Sequence, residues 1–120
     1  MHTFLIRSVL VAASLLAPIT ARSQWADPAA AVAAAREDAV RRAGIPEGEL
    51  QVLSVERVTW PDASLGCPRE GVLYTQALVK GWRVRLQSAA GELDYHLGER
   101  GAPLPCPPGR SRAPLPASSN

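Results

Sequence analysis

The chain has 120 residues, 13 basic and 11 acidic side chains, and two cysteines. That length holds one domain and leaves no room for a second catalytic or regulatory one. The formal charge of +2 is no evidence for nucleic acid, because Arg7 and Arg22 both lie in an N-terminal segment that reads as a secretory signal.

Residues 1–7 carry one basic side chain, residues 8–17 are almost wholly apolar, and Ala21 and Ser23 offer small residues at which a signal peptidase can cut. A membrane anchor is the alternative, but the apolar run is shorter than the roughly 20 residues a span needs. No cysteine lies near the cleavage region, which argues against a lipid anchor. Cleavage after Ser23 lowers the basic count from 13 to 11 and leaves a formally neutral chain with no membrane span. Of the 13 basic residues only Lys80 is a lysine, which with the many alanines and prolines suggests a GC-rich bacterial coding sequence. The expected division is a signal over 1–23, one domain over 24–106 and a disordered tail over 107–120.

An even cysteine count in an exported chain favours a Cys67–Cys106 disulfide. Closing a loop of about 40 residues contributes roughly 4 kcal/mol in the chain-entropy account. That is a large share of the total for a core of about 80 residues.

Asp27 and Pro28 predict a helix start: the carboxylate caps free amides of the first turn, and proline has no N–H to lose there. Residues 29–43 are rich in alanine, the best helix former. Val32, Ala35, Ala39, Val40 and Ala43 form one apolar stripe, with Glu37–Arg41 and Asp38–Arg42 pairs on the other side. Gly44 and Pro46 end the helix. A stripe made mostly of alanine demands close approach to its cover, and a sheet face with large side chains suits it.

Residues 50–60 read as a strand whose phase slips near Glu56 and Arg57, the expected place for a bulge. Residues 61–71 form a loop rich in proline and glycine. Residues 72–79 read as a second strand, with Leu73, Ala77 and Val79 opposite Tyr74, Gln76 and Leu78. Gly81 marks a turn. A hairpin follows, with Trp82, Val84, Leu86, Leu93, Tyr95 and Leu97 on its dry face. Arg83 and Arg85 face Glu92 and Asp94 on the charged one. The proline-rich run after Gly101 cannot join a central strand, because proline removes ladder donors. Residues 111–120 show no apolar period and are expected to be disordered. No internal repeat is evident. The order predicts an α+β fold, one N-terminal helix on a curved antiparallel sheet of about four strands, with a disulfide-anchored loop.

Helix followed by antiparallel strands resembles the PepSY and cystatin-like α+β folds, and residues 81–105 are similar to the closing half of a PepSY module. The run Trp-Pro-Asp-Ala-Ser-Leu-Gly-Cys-Pro at 60–68, with Tyr74, Gln76 and Gly81, also resembles uncharacterised exported bacterial proteins that share a Ser-Leu-Gly-Cys-Pro element. Cystatins place a Gln-x-Val-x-Gly turn in a protease cleft. Here the run from Gln76 to Gly81 has one residue more, with Leu78 where valine would stand, and no Pro-Trp hairpin lies near Tyr95.

Catalytic and metal chemistry find little support in the residues. Cys67 with His96 could be written as a thiol and its base, but the disulfide accounts for the cysteine and no third group orients the histidine. Asp62 and Glu70 could be written as paired carboxylates; Asp62 after Pro61 is better suited to an Asx turn. Ser64 has no matching base. With both cysteines bonded a zinc site lacks ligands, and no phosphate-loop or dinucleotide motif occurs. The expectation is a non-enzymatic protein without cofactor or metal. It would bind a protein or peptide through Trp60, Asp62, Ser64, Leu65, Tyr74 and Gln76 on a loop stiffened by Pro61 and Pro68. A cystatin-like inhibitor and a structural envelope protein are the alternatives, and oligomeric state is open.

Overall fold

The computed structural model describes residues 10–16 and 25–117. Most of the segment read as a signal, including both cut positions at Ala21 and Ser23, lies outside the described residues. Among the described residues no helix is long and apolar enough to cross a membrane.

Helix α1 spans Pro28–Ala43. The Asp27 carboxylate accepts from the Ala30 amide at 2.8 Å, and Gly44 closes the helix at φ +65°, donating its N–H to the Val40 carbonyl. The buried face is one step round from the expected stripe: Ala31, Ala34, Ala35, Asp38 and Ala39 face the sheet, while Val40 and Ala43 are exposed. Alanine lets the helix lie close to the large side chains opposite, and Asp38 can join that face because its oxygens are satisfied. Tyr95 donates its hydroxyl to Asp38 Oδ2 at 2.9 Å, and Arg42 Nε reaches Oδ1 at 2.9 Å. Burial, then the hydrogen bond to Asp38, pushes the Tyr95 hydroxyl above its ordinary pKa.

The sheet contains β1 (Gln51–Trp60), β2 (Val79–Ser88), β3 (Gly91–Leu97) and β4 (Leu104–Pro105), in that order and antiparallel throughout. The expected α+β architecture is present, but its fourth strand is different. Residues 72–78 form a loop, not a strand, and the edge is completed by β4. β2, the strand that follows, is already bonded on both sides, to β1 and to β3, so 72–78 cannot form a hairpin with it. Gly81 makes no turn: it lies inside β2 opposite Val58. A Cβ at Gly81 would fall on the Leu97 carbonyl, so the position needs glycine for a close approach of two backbones. The irregularity in β1 sits between Val52 and Ser54, not at Glu56 and Arg57, and it leaves Leu53 half-exposed.

Alternation then sorts the sheet into two faces. Trp82, Val84, Leu86, Tyr95 and Leu97 pack under α1, with Val55 and Leu93 at the margin. Trp25 joins this core, and its carbonyl accepts from the Trp82 indole at 2.9 Å. Val58, Trp60, Arg83, Asp94 and His96 stand on the opposite face, which the 61–78 loop and the C-terminal segment cover. The described part of that segment, 107–117, was expected to lack order; it is held by backbone hydrogen bonds from Arg112 to Gly66 and from Leu115 to Thr59.

Candidate functional site

The loop after β1 is built around Trp60. Its side chain is 0% exposed, its indole donates to the Leu97 carbonyl at 3.0 Å, and its ring stacks on His96 with centroids 4.4 Å apart. Asp62 Oδ1 accepts from the Ser64 amide at 2.8 Å, the expected Asx turn. Leu65 and Gly66 follow in left-handed conformations, φ +54° and +67°. At Gly66 a side chain would meet the Trp60 ring and the Arg112 carbonyl, so this glycine serves both chain direction and packing. Cys67 then bonds Cys106, Cα to Cα 5.8 Å. The bridge ties the loop to the residue after β4, whose own amide donates to the Asp94 carbonyl.

Beneath the loop a polar cluster joins β2, β3 and the C-terminal segment. Arg83 forms a two-pronged ion pair with Asp94, at 3.0 and 2.8 Å, and Ser111 donates its hydroxyl to Asp94 Oδ2 at 2.8 Å. Burial opposes the charge on Asp94, yet hydrogen bonds from His96, Arg83 and Ser111 outweigh it and hold the carboxyl well below the usual range. The hydrogen bond to Asp94 correspondingly raises the Arg83 guanidinium, against the opposing effect of burial. His96 is fully buried; Nδ1 meets the Leu65 carbonyl at 2.5 Å, and Nε2 faces Asp94 at 3.2 Å and Ser111 at 3.3 Å.

Serine, histidine and aspartate within reach of one another are the residue types of a hydrolytic triad, but the arrangement differs. In a triad the acid orients one ring nitrogen while the other takes the serine proton. Here Asp94 and Ser111 crowd the same nitrogen, the serine proton points to the aspartate, and the other nitrogen is held by a backbone carbonyl. The cluster fastens loop, sheet and tail together, and Ser111 is not poised as a nucleophile. Cys67 is likewise bonded rather than free. Among the described residues no group of three His, Cys, Asp or Glu side chains could hold a metal ion.

The candidate residues therefore divide. Trp60 and Ser64 are buried, and Asp62 and Leu65 are half-buried. Tyr74 is half-buried and acts as a strut, its hydroxyl accepting from the Arg69 amide at 3.1 Å. Gln76 is exposed, with its amide donating to the Tyr74 carbonyl. Across the loop base the Ala63 amide donates to the Thr75 carbonyl at 3.0 Å. What this frame presents to solvent is the tip that a strand assignment had concealed: Leu73 is 99% exposed, Leu78 68% and Val72 49%. Gly71, at φ +77°, supplies the turn that throws Val72 and Leu73 outward. The sequence signal for that turn was Glu70-Gly71 before a short apolar run.

No curated protein and no solved structure matches this chain. Residues 32–106 do match a family profile, a span that takes in most of α1, the whole sheet, the loop and both cysteines. On that match the chain belongs to the family described as a domain of unknown function, DUF8738.

Proposed function

We propose that the protein is a small exported binding module that recognises a protein or peptide in the cell envelope or outside, through the 69–78 tip with Leu73 as its apolar anchor. The observation that carries this reading is Leu73 itself, a large apolar side chain almost wholly in water on a loop tied at both ends. Fully burying a leucine contributes about 1.5–3 kcal/mol, and a tip already fixed in shape loses little further freedom on binding. Val72 and Leu78 extend the apolar contact, and Gln76 supplies a polar group beside it. Export is supported by the signal-like pattern of residues 1–23 and by the disulfide.

The cystatin-like reading gains no support from the geometry, since Gly81 is paired inside the sheet and the run from Gln76 does not turn there. A structural envelope role draws on the burial of Trp60, Ser64 and Cys67, but it leaves the exposure of Leu73 unexplained.

The test is retention of partners from an envelope and culture-fluid extract on immobilised parent and Leu73→Ser proteins. Leu73→Ser is expected to leave the melting temperature unchanged and to weaken retention at least tenfold. Equal recovery on both columns would sink the tip as the contact surface.

A further inference from the structure

Ala-Pro-Leu-Pro occurs twice in the chain, at 102–105 and again at 113–116. The repeat is too short to show as a period, but the fold puts its two copies to the same use. In the first, Leu104 and Pro105 are β4 and lie opposite His96 and Tyr95 of β3. In the second, Leu115 donates its N–H to the Thr59 carbonyl of β1 at 2.9 Å. The two copies thus cover the two opposite edges of the β1–β2–β3 sheet. A leucine flanked by prolines carries the only N–H among the three residues, so it can bond inward and offers little to a further strand. Edges covered in this way resist pairing with other chains.

The two copies are held differently. The first is locked by Cys106, through the disulfide and through its amide on the Asp94 carbonyl at 2.8 Å. The second follows Ser111 with no covalent tie of its own. Leu115 is exposed, and an open groove of about 530 Å³ lies between the tail and Glu56, Arg57, Val58, Thr59 and Lys80. This edge is covered but not filled.

We propose that the outer edge of β1 at residues 57–59 is a receptor for an extended Pro-Leu-Pro segment carried by another protein, and that residues 113–116 keep it shut in cis. Recognition is strand addition: the incoming segment gives one N–H to the Thr59 carbonyl, and its leucine enters the groove beside Lys80. The tether gives the tail a local concentration in the millimolar range. One hydrogen bond therefore suffices to hold the edge closed against isolated peptides, and a partner must add contacts elsewhere to open it. The site is separate from the 69–78 tip and does not depend on it.

Leu115→Pro in the full chain removes the one N–H of the strap and leaves the rest of the tail in place. The probe is an acetylated Arg-Ala-Pro-Leu-Pro-Ala peptide, titrated into ¹⁵N-labelled protein. The variant is expected to show saturable shifts at Arg57, Val58, Thr59 and Lys80, with affinity at least tenfold above that of the parent. The same peptide with proline for leucine should produce none. Pro114→Gly with Pro116→Gly, which frees the strap from its extended form and so weakens its hold on the edge, is a second opened form should Leu115→Pro lower the melting temperature. Absence of saturable shifts in both variants, or equal affinity in parent and variants, overturns the proposal. Shifts that grow with protein concentration before any peptide is added also overturn it, because they assign the edge to a second copy of this chain.

Discussion

Trp60 shows why unusual residues gathered in one stretch need not form a contact surface. Its ring is sealed between His96 and Gly66, and its indole reaches a carbonyl on another strand. Trp60→Ala should therefore cost about 3–5 kcal/mol, a large part of the roughly 5–15 kcal/mol that a small domain has. Denaturant unfolding should give a much lower midpoint, or no folded baseline; a change below about 1 kcal/mol would mean that the ring is not packed as described. Asp94 makes a different prediction. Its folded carboxyl titrates below the unfolded value of about 3.9. Its contribution to stability is therefore complete above that value and is lost as pH falls through the lower, folded one. Asp94→Asn should lower the melting temperature at pH 7 and flatten its decline between pH 5 and pH 2, and parallel curves for parent and variant would contradict this. Asp62 and Cys67 were legible from sequence because each has a local or pairwise logic. His96 was not, since apart from Asp94 two residues earlier its partners come from 15 to 36 residues away and no local pattern brings them together.

At the scale of elements, caps and the hairpin could be read directly, because Asp27, Gly44 and the alternation of β2 and β3 are short-range signals. The rotation of α1 could not. Alanines occur all around the helix, so the valines dominated the choice of face, and Asp38 looked like half of a surface pair when it serves the core as well. The missing strand has a related cause. Leu73, Ala77 and Val79 suggest an inward face only if apolar residues are assumed to point inward, and on this tip Leu73 and Ala77 are exposed, as is Leu78 of the opposite set. Gly81 reads as punctuation in sequence for the same kind of reason: a glycine that ends a strand and a glycine that admits a neighbouring carbonyl look identical in one dimension.

The whole molecule is a sheet with two unequal covers. One is a helix whose fit depends on small side chains, and the other is a cross-linked loop with a tail laid over it. Only the second depends on Cys67–Cys106. Reduction should remove about 4 kcal/mol in the chain-entropy account and act unevenly. Hydrogen exchange by mass spectrometry should speed up in residues 61–78 and 107–117 well before α1 and the β2–β3 hairpin. Uniform acceleration would mean that the two covers are a single cooperative unit. The location of the loop cover and its staple were predictable from proline, glycine and cysteine placement, whereas the side it turns to water required the third dimension.

The close approach at Gly81 has a consequence for assembly. Sliding β2 by one residue along β3 would present Lys80 or Trp82 to the Leu97 carbonyl, where no side chain fits, and would turn Arg83 and Arg85 toward the alanines of α1. Out-of-frame hairpins are thus penalised twice, by collision and by buried charge. In the allowed frame the Cys106 amide bonds the Asp94 carbonyl of β3, so the disulfide joins the loop to a residue that the backbone also holds.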